Sequence, residues 1–458
     1  VLTETDHRLL LELLELPTAG PLEAPGQPLH LWAAQRAYAT AAAELGFEVL
    51  HHAAPAPAWA ELPDVPLTVR TRAADPAFLS EQPSLVLRLG PLEPAPGPAE
   101  RERTVMFNVH LDTVAGQQPV HRSGDTYYGR GAVDAKGPAV ALLAGLRAAL
   151  ARRPQLGTRT TVLVQAVAGE EGGALGTLGT RPLVAAGHYG RLNVFCEPTG
   201  NRALTRCTAA MTARIEVAGQ DAVDDRPAAG HNATVLLGFL AQHLAASITP
   251  GAGRLCVAGL HTGHLHNRVY GQGELLLNLA YPDPATAERL ERAVAEGLAA
   301  GLHAFAEKFA ANPLLARTAV DAASITTLRW LKRGLPALTD QGTVDPWLPR
   351  LLTAAKIAPW PATEPGFTCD AIWLADRPGT ATVVLGPGSL EENNAHAVGE
   401  FVRLAELSAF AHSVADLLLA FDNAGADARS EATEATEAAE PAAPRLPHPT
   451  QEAHPVCR

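Results

Sequence analysis

Residues 104–112 read TVMFNVHLD, a near-continuous apolar run that closes on His110 and, two positions later, Asp112. Such a run, bounded by polar groups, fits a strand buried on both faces, as the interior of a parallel sheet requires. The pattern recurs downstream at 160–167 before AGEEGG, at 192–196 before EPTG, and at 381–386 before PGS. Between the first two lies 136–151, KGPAVALLAGLRAALA, apolar at helical spacing. Apolar strands separated by helices predict an α/β fold with a mostly parallel sheet flanked by helices. His110, Glu170, Glu171 and Glu197 then all follow strand ends, where open α/β sheets place their sites.

Upstream, Leu9, Leu10, Leu13, Leu14 and Leu16 share one helical face that Pro17 ends, and 29–45 reads as a second helix stopped by Gly46. A strand is expected from 47 to 50 and another at 84–89. The Ala-, Pro- and charge-rich 52–83 reads as a surface excursion, and 91–103 as a loop.

From 212 to 323 the pattern changes to strand (213–217), helix (232–246), two strands (254–260 and 274–281), long helix (284–309) and strand (316–322). That order is the split βαβ repeat of a ferredoxin-like α+β unit. His396 and the run at 381–386 lie beyond it, so the unit is expected to be inserted into the first domain. The expected organisation is 1–211 and 324–423 for a catalytic domain, 212–323 for an inserted lid, and 424–458 for a disordered tail rich in Ala, Glu and Pro.

The chain has 458 residues, 47% of them hydrophobic, enough for two cores. A formal net charge of -12 without any Lys/Arg-rich run argues against nucleic acid or an anionic membrane as partner and favours a small or short-peptide substrate. The cysteines, Cys196, Cys207, Cys256, Cys369 and Cys457, are widely spaced and form no CxxC, so neither a disulfide framework nor a thiolate zinc site is indicated. With no apolar leader and an apolar stretch at 139–151 interrupted by Arg147, a cytoplasmic protein is expected.

His110, Asp134, Glu171, Glu197 and His396 can each donate a lone pair, and a mixed imidazole and carboxylate shell suits zinc better than calcium or magnesium. A paired centre needs a bridging carboxylate, assigned to Asp134, with His110 and Glu197 on one ion and Glu171 and His396 on the other. Asp134 also reads as an N-cap for the helix that follows. Asp112 is placed to accept the second ring N–H of His110. Glu170, beside a ligand on a Gly-bounded turn, is the expected general base for amide hydrolysis.

These pieces, HLD, GRGAVDAKG, GEEGGALGT, EPT, HTGHLHNRV, FTCDA, LGPG and AHAVGEF, resemble in order the M20 family of metallopeptidases and deacylases. That family includes the acetylornithine and succinyl-diaminopimelate deacylases, aminoacylase-1, carnosinases and a glutamate carboxypeptidase. The resemblance covers the chain to about residue 420. It implies a catalytic domain with an inserted lid that often forms a homodimer, two zinc ions replaceable by cobalt or manganese, and cleavage of a peptide or N-acyl bond. It also implies that Asn267 lies near substrate and that the bond after Asp134 is cis.

Two positions depart from the family. Its lid histidine, which stabilises the oxyanion, is replaced by Val223, and an arginine that grips a substrate carboxylate is replaced by Ala280. His231, His264 and His266 are the candidates to replace the histidine, His264 being taken with Asn267 as the substrate and oxyanion pair. The same departures leave room for a non-hydrolytic relative that binds a ligand or forms or transfers an amide.

Overall fold

The computed structural model describes residues 1–90 and 98–439. Its main sheet runs in the order β1 (Glu48–Ala53), β2 (Ser84–Leu89), β6 (Thr161–Val167), β3 (Thr104–His110), β7 (Leu192–Phe195), β14 (Ala381–Val384). Strands β6, β3, β7 and β14 are mutually parallel, and β1 and β2 complete one side antiparallel. Every residue of β3 and of β6 is buried, which is why both read as unbroken apolar runs.

The helix Lys136–Arg152 lies over this sheet and packs against a second long helix, Leu404–Ala439. The part of that helix from Leu404 to Ala424 is long and apolar enough to cross a membrane, yet Leu407, Phe410, Val414 and Leu418 are buried in the core. The tail expected to be disordered from Ala424 instead continues this helix to Ala439. Its Ala- and Glu-rich composition favours helix once a packed helix supplies the nucleus. Residues 440–458, the rest of that tail, and 91–97 of the expected loop lie outside the described residues.

The excursion at 52–83 is built rather than loose. Its short helices Pro57–Glu61, Leu67–Arg72 and Pro76–Ser80 bury Ala60, Val65, Val69, Phe78 and Leu79 together with Ala174 and Leu178. Three further strands, β4 (His121–Ser123), β5 (Thr126–Tyr128) and β15 (Phe401–Arg403), form a small antiparallel sheet that holds the 393–400 loop near the main sheet.

A second, four-stranded sheet has the order β10 (Arg254–His261), β12 (Gln272–Tyr281), β8 (Ala209–Ala218), β13 (Thr326–Lys332), all antiparallel. With the helices Ala233–Ser247 and Pro284–Phe309 the chain order is strand, helix, strand, strand, helix, strand, the ferredoxin-like arrangement. The strand expected at 316–322 is a helix, Ala316–Asp321, and the fourth strand lies beyond residue 323 at β13. ARTAVDAA carries four alanines, the best helix formers, and no aromatic residue, whereas TTLRWLK carries Thr326, Thr327 and Trp330. A two-residue pair, β9 (Ala222–Val223) with β11 (Arg268–Val269), extends this unit.

The two sheets share a core. Met106, Leu163 and Phe195 of the first belong to one buried cluster with Met211, Ala213, Ile215 and Leu277 of the second. Where the chain crosses between them, Cys207 and Leu338 exchange both backbone hydrogen bonds, each 3.0 Å long. The thiols of Cys207 and Cys369 touch at 3.6 Å without a bond, and no disulfide occurs among the described residues.

Candidate metal centre

Five donors, one at the end of β3 and four from separate loops, meet beyond the carboxyl ends of β3, β6, β7 and β14. His110 ends β3, Glu171 follows β6, Glu197 follows β7, and His396 lies in the loop between β14 and β15. Asp134 precedes the helix Lys136–Arg152, and the Asp134–Ala135 peptide is cis. Asp134 is not the N-cap of that helix: Ala135 holds the position and makes no side-chain cap bond.

The two carboxylate oxygens of Asp134 face different histidines. Oδ1 is 2.9 Å from His110 Nε2 and Oδ2 is 3.1 Å from His396 Nε2. Glu171 Oε1 stands 2.9 Å from His396 Nε2, and Glu197 Oε2 3.7 Å from His110 Nε2. His110, Asp134 and Glu171 offer donor atoms all within 4.8 Å of one another. Ligand atoms on a tetrahedral zinc are about 3.3 Å apart, so these spacings fit a metal shell. His110 and Glu197 thus lie on one side of Asp134, and Glu171 and His396 on the other.

The charge balance points the same way. The buried Asp112, Asp134, Glu171, Glu197 and Asp370 and the half-buried Glu170 crowd around the buried His110 and the exposed His396. Burial pushes Glu170 well above the usual carboxylate range, and neighbouring Glu171 adds to this. Burial likewise raises Glu171 to about 7, although His396 pulls against it, and raises Glu197 and Asp112. Burial raises Asp370 to about 8 even though it accepts a hydrogen bond from Thr180. Asp134 escapes this trend, because hydrogen bonds from His110 and His396 outweigh burial and hold it well below its ordinary value. His396 is lifted to about 10 by hydrogen bonding to Asp134 and Glu171, and His110 is raised well above its ordinary value by Glu197 and Asp134 against its burial. A surplus of buried carboxylates is costly without cations, and divalent metals held by this donor set would relieve it.

Asp112 acts differently from the expectation. His110 Nδ1 lies 2.9 Å from the Asp112 backbone carbonyl and 3.8 Å from its carboxylate. The carboxylate instead accepts the Glu171 N–H at 3.1 Å, leaving Oδ1 without a partner. The residue therefore fixes the His110 ring through its main chain and the Glu171 turn through its side chain.

Asn267 and His264 are exposed in the segment between β10 and β11, and no hydrogen bond or ion pair joins either side chain to the cluster among the described residues. His231 is a structural group: its Nδ1 accepts the Gln220 N–H at 2.8 Å and its Nε2 lies 3.0 Å from Asp321. Val223 is exposed and pairs with Arg268 across β9 and β11. Ala280 lies directly opposite Arg254, and both line a cavity of about 390 Å³.

Sequence reasoning missed the support around Asp134. Glu400 accepts the N–H groups of Val133 and Asp134 on Oε1, at 3.1 and 3.3 Å, while Arg130 donates to its Oε2 at 2.7 Å. A glutamate four residues after a ligand carried no signal of this role. Asp370 accepts from the Thr180 hydroxyl and packs against Gly176 in the turn after Glu171.

A mostly parallel sheet with clustered imidazoles and carboxylates at its carboxyl edge, joined to a ferredoxin-like unit, makes this a two-unit α/β protein with a candidate metal centre. The chain belongs to peptidase family M20/M25/M40, whose family model matches residues 106–420. It is 33% identical over 195 residues to a protein of Aeropyrum pernix named as a LysW-lysine/LysW-ornithine hydrolase, an alignment covering 42% of this chain and 51% of the relative. The chain thus spans about half the length of that curated relative. Its fold is similar to that of the M20 family metallo-carboxypeptidase Sso-CP2 from Sulfolobus solfataricus, at 12% identity and a TM-score of 0.61, covering 92% of this chain and 100% of that one. It is also similar to the Bacillus subtilis YXEP protein, a dinuclear metal binding peptidase from M20 family, at 14% identity and a TM-score of 0.53, covering 90% and 96%.

Proposed function

We propose that this chain hydrolyses an amide bond, peptide or N-acyl, in a small substrate, with two zinc ions and Glu170 as general base. The observation that carries the reading is the Asp134 carboxylate, whose two oxygens address His110 and His396 separately, as a bridge between two cations requires. His110 and Glu197 would hold one ion, and Glu171 and His396 the other. When bound, such ions lower the pKa of water and polarise a carbonyl.

The remaining chemistry belongs to the chain. Glu170, next in sequence to a ligand but not itself bonded to either histidine, takes the proton of the attacking water on its carboxylate and returns it to the leaving nitrogen. Burial first, and then Glu171, raise its affinity for the proton it takes up. Asp112 keeps the His110 ring and the Glu171 backbone in register. The name of the Aeropyrum relative supports an amide next to lysine or ornithine as the first substrates to try.

The full chain loaded with zinc should contain about two ions by mass spectrometry and cleave members of an N-acyl amino acid and dipeptide panel. Glu170→Gln should keep the metal and lose turnover by about 10²- to 10⁴-fold. A protein that binds no metal, or a Glu170→Gln variant with full turnover, overturns the reading.

A further inference from the structure

Lys332 is the one residue of β13 whose placement the strand's own regularity does not explain. Along β13, Trp330 lies opposite Ala213, but Lys332 lies opposite Thr212, so two residues of β13 face one of β8. This is a β-bulge, and a one-residue slip turns the side chain to the other face of the sheet. Without it Lys332 would oppose Met211, on the face that β8 buries with Ala213, Ile215 and Val217 under the helices. With it, the lysine joins Thr212 on the face not covered by those helices.

The ammonium then reaches the catalytic sheet. Lys332 Nζ lies 3.9 Å from where a side chain on Gly173 would begin, in the turn that carries Glu170 and Glu171. The helix Leu67–Arg72 packs on β13. The charge of Lys332 is felt by Glu170, yet none of the ion pairs among the described residues includes this lysine. Burial lowers its pKa to about 8, against the pull of Glu170, which leaves it mostly protonated at neutral pH. Lys332 is half-buried, and a cation partly withdrawn from water without a bonded anion is stabilised by a substrate carboxylate.

Resting on the hydrolytic reading above, we propose that Lys332 is a specificity-determining residue: its ammonium binds a carboxylate of the substrate beside the scissile amide. The substrates it selects are N-acyl amino acids or peptides bearing a free carboxylate, rather than their neutral amides. Among the described residues no hydrogen bond or ion pair joins Lys332 to a histidine of the cluster, so its loss should spare metal binding.

The test compares wild type, Lys332→Met and Lys332→Arg, as zinc-loaded full chains, on pairs of N-acetyl amino acids and the matching N-acetyl amino acid amides. In wild type the acids should be preferred; in Lys332→Met the KM for acids should rise by about 10- to 100-fold with kcat nearly unchanged, and the amides should be unaffected. Lys332→Arg should recover part of the preference. Binding of the same pairs to zinc-loaded Glu170→Gln, with and without Lys332→Met, reads the same preference by calorimetry without turnover. Equal treatment of acids and amides by wild type, including binding of neither, overturns the proposal. So does a kcat loss in Lys332→Met common to both substrate types, which would mark a lysine acting through Glu170. Absence of hydrolysis with carboxylate preference retained in binding would instead sink the hydrolytic reading and leave the anchor standing.

Discussion

At the scale of single residues, Asp134 and His396 decide how the site responds to protons. Without metal, His396 has a pKa of about 10, because Asp134 and Glu171 both bond to its imidazolium. Glu171 titrates near 7 because burial opposes its charge. Both folded-state values lie above the ordinary ones, so the stability these groups contribute is present at low pH. It is lost as pH rises through about 7 for Glu171 and about 10 for His396. Metal binding requires both groups deprotonated, so ions must displace these protons and affinity must increase with pH over that window. Titrating zinc into the metal-free chain at pH 7, in two buffers of different ionisation enthalpy, should show release of at least about one proton. Identical apparent heats in both buffers would contradict the assignment.

At the scale of elements, the turn after β6 is held from several directions. Gly176 N–H bonds to the Gly169 carbonyl at 2.7 Å, Trp373 Nε1 bonds to the Leu175 carbonyl at 2.7 Å, and Ala174 and Leu178 sink into the small core made by residues 60–79. Gly176 has φ +60°, and a side-chain carbon there would lie 2.3 Å from Asp370 Oδ2. Gly176→Ala should therefore cost about 2–4 kcal/mol in stability and weaken zinc binding, read by thermal unfolding and by metal competition. A variant with unchanged melting temperature and metal affinity would show that the turn is not braced as described.

The strands that carry His110, Glu171 and Glu197 were legible because parallel strands buried on both faces leave unbroken apolar runs. The donors themselves were legible because each lies within a few residues of such a run. The brace at 57–80 was not, since its Ala- and Pro-rich composition resembles surface loop, and its apolar residues meet their partners only across the fold. Strand β13 was displaced in the reading because Ala316–Asp321 offered an apolar segment of similar length just before it. Lys332 and Glu400 gave no signal at all, as a lone charged residue acquires its role from a bulge or from a distant loop.

At the scale of the whole molecule, the cluster that joins Met106, Leu163 and Phe195 to Met211, Ile215 and Leu277 makes the two sheets one cooperative unit. Separating them would expose this apolar surface at a cost of about 25 cal/mol per Å². Scanning calorimetry of the metal-free chain should accordingly show one unfolding transition, and two resolved transitions would show that the shared core does not couple the sheets.

The paired crossing at Cys207 and Leu338 carries a different consequence. Outgoing and returning chain are laced together there by reciprocal backbone bonds, so they form a strap of double thickness rather than two independent tethers. Swivelling about its length leaves those rungs intact, whereas splaying the threads breaks them. The smaller sheet is thus held against parting from the larger one at the crossing as well as through the shared core.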